Sequence, residues 1–223
     1  MNTQFETPKG QQGQSQSAQD RPRVILASAS PRRRELLSQA GVAFSVHTAE
    51  VDEALDPELA ANPHEAACTL AERKAGAVVQ ELLAAAVPGT YFAIGADTMV
   101  VCDGEIFGKP KNLDDAKRML RALSGITHEV VTGVSAWAVG VAPDGRTSVG
   151  RKTFADASRV TFKPLTDEDI ADYLRKGESF DKAGAYAVQG EGAALIASVD
   201  GALDTVIGLP VGRLLEEFPF LVA

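Results

Sequence analysis

"YFAIGADTMVVCDGEIFGKP", residues 91–110, reads as two strands joined by a tight turn at Asp103-Gly104. The first of the two, around "AIGADTMVV", is nearly continuous apolar sequence interrupted by one acid, Asp97. A carboxylate buried in such a strand is costly unless it is paired or metal-bound, which marks Asp97 as a functional candidate. The competing reading is a strand-end acid that caps a neighbouring backbone turn.

Working outward from this hairpin, strands and helices alternate. On the N-terminal side "RVILAS" is a short buried strand. A helix follows, with Ser30 as N-cap, Pro31 in its first position and Gly41 as its stop. "VAFSVHTAEVDEAL" gives a second strand and then a loop, and Asn62, with Pro63 and Glu65 behind it, begins a helix that runs to about Leu83. On the C-terminal side Asn112 caps a helix with Ala116, Met119, Leu120 and Leu123 on one face. "HEVVTGVSAWAVGV" and "GRKTFADASRVTFKPL" form a pair of long strands. Thr166 and Asp169 make a capping box for a helix that ends near Gly177. "AALIASVDGALDTVIGLP" is expected to be a closing hairpin, and a final helix carries Leu214, Leu215 and Phe218. The class is α/β with a mixed sheet.

The chain has 223 residues, 45% of them hydrophobic, enough to bury the core of one domain with two lobes. Residues 1–20 are rich in Gln, Ser and Gly and are expected to be a disordered tail, leaving 21–223 as a single domain. The formal net charge of −8 argues against a broad basic face for nucleic acid but leaves room for a small anionic substrate held by a local positive cluster. Cys68 and Cys102 lie in separate apolar stretches without metal spacing and are expected to be reduced core residues. Without a membrane-length apolar run or a signal segment, the expected location is cytoplasmic.

Arg32, Arg33 and Arg34 follow Ser30-Pro31 directly. The start of a helix carries unpaired N–H groups and partial positive charge, so cations there are unfavourable by about 0.3–1 kcal/mol each. A phosphate held by the helix end, the Ser28 or Ser30 hydroxyl and the guanidinium forks would offset them; solvated arginines paired with surface acids are the plainer account. Lys74 falls on the inward stripe of Leu70, Ala71, Ala75 and Val78, where a lysine either snorkels along the core edge or points into a cleft. Asp52 and Glu53 are either solvated loop acids or, opposite Asp97, carboxylates for Mg²⁺. Lys109 in "GKP" and the small residues of "DKAGAYAVQG" allow close backbone approach to a ligand. Together these cations and acids fit a nucleoside triphosphate with a divalent metal. A phosphate-binding P-loop, a His/Cys metal cluster and a G-x-S-x-G elbow are all missing from the sequence.

The ordered set "SASPRRRELL", "EVDE", "ERKA", "IGADT", "GKP", "LSGITHEVVTG", "DKAGAYAVQG" and "VIGLP" resembles the Maf family of nucleoside triphosphate pyrophosphatases, from about Val24 to Glu217. The resemblance implies a fold related to the inosine triphosphate pyrophosphatases: a long, bent mixed sheet with helices in two lobes around a nucleotide cleft. It implies hydrolysis of a nucleoside triphosphate to the monophosphate and pyrophosphate, dependent on Mg²⁺, Mn²⁺ or Co²⁺. By motif position it makes Asp97 the proton acceptor, and Glu53 and Asp97 the metal-binding acids. It carries Lys109, Ser28 and Arg33 into the site, with Lys74 as a further substrate-binding residue. Arg32, Thr98 and Gln189 match the branch that prefers dTTP and UTP, and a neutral amide suits the uracil or thymine edge. A homodimer is a family-level expectation. Two other readings stand beside this one: a pyrophosphatase preferring purines or 7-methyl-GTP, and a septum-formation regulator acting by protein binding.

Overall fold

A computed structural model describes residues 21–222, so the expected tail at 1–20 lies outside the described residues. Strands are β1 Arg23–Leu26, β2 Ser45–Val46, β3 Gly89–Cys102, β4 Glu105–Phe107, β5 Thr127–Val141, β6 Thr147–Phe162 and β7 Ile196–Asp200. Helices are α1 Pro31–Gln39, α2 Pro57–Ala60, α3 Pro63–Ala85, α4 Leu113–Leu123, α5 Asp167–Arg175, α6 Leu203–Ile207 and α7 Val211–Glu217. The β3–β4 turn has Asp103 and Gly104 both at positive φ (50° and 80°), the geometry that suits a two-residue hairpin. Asn62, Asn112 and Thr166 accept from backbone N–H groups at the starts of α3, α4 and α5, and the Thr166–Asp169 capping box closes reciprocally. Ser30 precedes α1 as expected, but its side chain makes no capping bond.

The seven strands form one mixed sheet in the order β2-β1-β3-β5-β6-β7, with β4 added to β3. Strand β5 lies along one side of β3 from Gly89 to Val101. Both β1 and β4 must therefore take the other side. Parallel β1 covers Tyr91 to Ile94, and antiparallel β4 covers Val100 to Cys102. Residues 95–99 are left between them as a gap, with the carboxyl ends of β1 and β4 both pointing into it. In open α/β sheets such strand ends are where ligands bind.

Helix α3 covers one face of the sheet, packing on Ala93, Met99 and Val131. Its contact is unusually close. A Cβ added at Gly133 would lie 2.3 Å from the Ala67 carbonyl carbon, and one added at Gly95 would lie 2.5 Å from the Ala71 carbonyl oxygen. The opposite face carries two separate apolar clusters. One gathers α1 and α7 around Leu26, Ile94, Val134 and Leu214. The other gathers α4 and α5 around Val100, Leu120, Val130 and Phe162. Between them the sheet presents Thr98 opposite Thr132, and Thr132 opposite Asp156. The polar row is the seam between these two clusters.

The expected closing hairpin is not formed. Ile196–Asp200 pairs with β6, but the chain then turns at Gly201 (φ 117°) into helix α6. Asp204 supports this path, because its carboxylate accepts from the N–H groups of Thr205 and Gly212 and so links the starts of α6 and α7 where a second strand was expected. Strand β2 is shorter than the apolar pattern implied, and α2, capped by Asp56, was not anticipated. Cys102 is buried, but Cys68 is only half-buried rather than in the core.

His128 lies inside the α4–α5 cluster, its Nε2 2.7 Å from the Tyr186 hydroxyl and its ring edge-on to Phe162. Burial lowers its pKa from 6.5 to about 4. Between those values the unfolded chain binds a proton that the folded chain does not, so stability falls as pH falls through this window and levels off below it. The expected loss from this residue is about 3 kcal/mol. Urea unfolding at pH 7 and pH 4 should show the stability gap between wild type and a non-titrating His128→Gln variant shift by that amount.

Candidate active site

The gap in β3 opens into a cavity of about 900 Å³, lined by Ser28, Arg32, Arg33, Glu53, Lys74, Asp97, Thr98, Lys109 and Gln189, whereas Asp52, the other acid considered for Mg²⁺, is not part of the lining. Each arrives on its own element. Strand β1 leads past Ser28 into α1 and its arginines, the loop after β2 brings Glu53, and the end of β4 brings Lys109. The segment after α5 brings Gln189. Neighbouring residues of a strand point to opposite faces, so Asp97 meets α3 while Thr98 meets α1.

On the α3 face, Lys74 does not snorkel outward. Its ammonium donates to Asp97 Oδ1 at 2.6 Å and lies 2.8 Å from Glu53 Oε1. Gly95 makes this possible, because the missing side chain lets the Ala71–Ala75 turn of α3 settle on β3 and brings Lys74 within reach. The Lys74 and Asp97 side chains are 18% and 14% exposed, whereas Glu53 is 57% exposed at the mouth. The hydrogen bond from Lys74 holds the Glu53 carboxyl below its ordinary pKa, with Lys109 and Arg33 adding to the effect and partial burial opposing it. Lys74, expected as a substrate-binding cation that points into a cleft, meets the two acids Asp97 and Glu53 there.

The two carboxylates thus converge on one cation, which fits them to share a metal ion. Among the described residues no group of three or more His, Cys, Asp or Glu is placed to hold a metal. A divalent ion here would take its remaining oxygens from phosphate and water, as Mg²⁺ commonly does.

On the other face the three arginines separate. Arg34 is exposed. Arg32 lies 3.6 Å from Asp181, which is the surface pairing of the plainer account. Arg33 turns inward. Its Nε donates to the Gly208 carbonyl at 2.7 Å, its NH1 to Ser28 Oγ at 3.1 Å and its NH2 to Thr98 Oγ1 at 3.1 Å. Burial pulls its pKa down while Asp97 pulls it back up, and a guanidinium stays protonated throughout. Two of its five N–H groups remain for a ligand.

Some residues of the site escaped sequence reasoning. Gly208 anchors Arg33 across 175 positions of sequence, and Thr132, in the buried strand β5, bonds the Thr98 hydroxyl at 2.9 Å. Tyr186 and Ile207 line the cavity as well. The "VVTG" run signalled Thr132, since a hydroxyl in a buried strand has to find a partner; Gly208 and Ile207 lie in "VIGLP" and Tyr186 in "DKAGAYAVQG", where no individual role was read.

Residues 23–219 match the family described as Maf-like protein. A dTTP/UTP pyrophosphatase of Bacillus velezensis is 45% identical over 199 residues, which is 88% of this chain and 96% of the relative. One from Geobacter sulfurreducens is 44% identical over 198 residues, covering 89% and 96%. A solved nucleoside-triphosphatase/dITP/XTP pyrophosphatase of Mycobacterium abscessus aligns over 88% of this chain and 93% of its own at 12% identity and a TM-score of 0.35, too distant to add to the argument.

Proposed function

The chain belongs to the Maf-like protein family, and from that premise we propose that it is a nucleoside triphosphate pyrophosphatase that hydrolyses dTTP and UTP to the monophosphate and pyrophosphate. One observation carries the reading: a single cavity holds inward-facing cations beside an acid pair bridged by Lys74. The names of the relatives point to the same substrates. Removal of such triphosphates is a house-cleaning activity, and the free cysteines Cys68 and Cys102 fit a reducing, cytoplasmic setting.

In this reading Arg33, Lys109 and the first turn of α1 hold the phosphates, and Arg32 and Gln189 line the nucleotide's path. Glu53 and Asp97 would hold a divalent cation, for which Lys74 gives up part of its bridge. Such an ion, when bound, polarises the phosphate oxygens it touches. Asp97 takes the proton of the water that attacks the α-phosphorus, with its second oxygen, Oδ2, as the accepting atom. Pyrophosphate departs toward Lys109, whose charge stabilises the negative charge that develops on it, while Arg33 grips the phosphates from the ground state onward.

A panel of nucleotides with Mg²⁺, Mn²⁺ and Co²⁺, scored by pyrophosphate release, tests the proposal. UTP and dTTP should give the highest kcat/KM, with orthophosphate absent from the initial products. Equal or faster turnover of purine or 7-methyl-GTP substrates would reassign the base preference. Absence of turnover on every nucleotide would remove the enzyme reading and leave a binding role.

A further inference from the structure

Arg33 is held by a one-way chain of hydrogen bonds, and we infer that Thr132, outside the cavity lining, is the positioning residue at the root of that chain; the inference rests on the pyrophosphatase reading for what Arg33 does.

The direction of the chain follows from counting hydrogens. Thr132 is fully buried, and its Oγ1 lies 2.7 Å from the Thr205 carbonyl oxygen. A carbonyl only accepts, so the single hydroxyl hydrogen of Thr132 is committed to it. The 2.9 Å contact between Thr98 Oγ1 and Thr132 Oγ1 must then have Thr98 as donor. That leaves Thr98 without a hydrogen for the Gly208 carbonyl 3.5 Å away, and with only lone pairs toward α1. One of them accepts from Arg33 NH2 at 3.1 Å. With Nε on Gly208 and NH1 on Ser28, three acceptors then fix the plane of the guanidinium.

The chain gives Thr98 a role distinct from donating to a nucleotide base, because its only hydrogen points away from the cleft. It also explains the choice of a hydroxyl at Thr132, where a valine would fill the same space. Without that hydroxyl the Thr98 hydrogen is released toward Gly208, where it competes with Arg33 Nε, and the Thr205 carbonyl is left without its partner.

Thr132→Val and Thr132→Ser, compared with wild type, test the inference in two ways. In Mg²⁺-UTP kinetics, Thr132→Val should raise KM about tenfold with kcat within about twofold, the signature of lost ground-state phosphate binding, while Thr132→Ser stays near wild type. In the free protein, NMR exchange of the Arg33 Nε–H should be faster in Thr132→Val and unchanged in Thr132→Ser. A folded Thr132→Val with wild-type KM and exchange overturns the inference, as does a Thr132→Ser equally impaired. If Thr132→Val does not fold, Thr132→Ala, which removes the same hydroxyl, is compared with Thr132→Ser with the same expectations. Should the wild type turn over neither UTP nor dTTP, the pyrophosphatase reading fails, and the exchange comparison still decides for or against the chain.

Discussion

Asp97→Asn folds like the wild type and hydrolyses UTP more slowly by a factor of about 10²–10⁴, the usual contribution of a positioned general base. The shape of the residue is unchanged, and Lys74 keeps Glu53 as a partner at 2.8 Å, so no cation is left wholly unpaired in the cleft. Chemistry is what the change removes. An amide cannot take a proton from water, and it withdraws one of the two negative charges available to a metal. Pyrophosphate release measured beside thermal unfolding separates these effects. A variant with near wild-type turnover would show that Asp97 is not the base, whatever else lines the cavity.

Gly133→Ala produces a large loss of stability for a single added methyl group. The added carbon would sit 2.3 Å from Ala67 C, 2.4 Å from Ala67 O and 2.5 Å from Cys68 N, all backbone atoms of α3. None of these can swing aside as a side-chain tip would, so α3 has to lift off the sheet. Overpacking of this kind costs about 3 kcal/mol or more. For a chain of this size that corresponds to a fall in Tm of roughly 6–12 °C. Gly150→Ala on β6 is the control, because nothing lies within 4 Å of its added carbon. Equal melting temperatures for the two variants would mean that α3 does not rest on β5 as described. Any folded fraction of Gly133→Ala should also have impaired turnover, since Lys74 reaches Asp97 from that helix.

Much of this architecture was legible from local pattern. Asparagine and threonine caps, the Asp103-Gly104 turn and the apolar periodicities depend on residues within a few positions of one another, and the elements they imply are present. Local pattern failed at α6. There the apolar run "VIGLP" matched a strand, but the Asp204 carboxylate ties the start of α6 to the start of α7 by accepting from Thr205 and Gly212. The candidate residues that share the cavity were also readable, because each sits in its own short motif.

What each candidate site residue touches was decided by tertiary structure alone. A sequence shows that Lys74 is a cation on an inward stripe. Only the close seating of α3 on Gly95 places it between Asp97 and Glu53. A sequence likewise shows three arginines in a row, yet their division into a solvated one, one facing Asp181 and one anchored on Gly208 depends on contacts that span up to 175 positions. Caps and periodicity are settled by neighbours along the chain. Partners of buried charges and hydroxyls are settled by whichever distant group the packed sheet brings within 3 Å, and desolvation then makes that pairing obligatory.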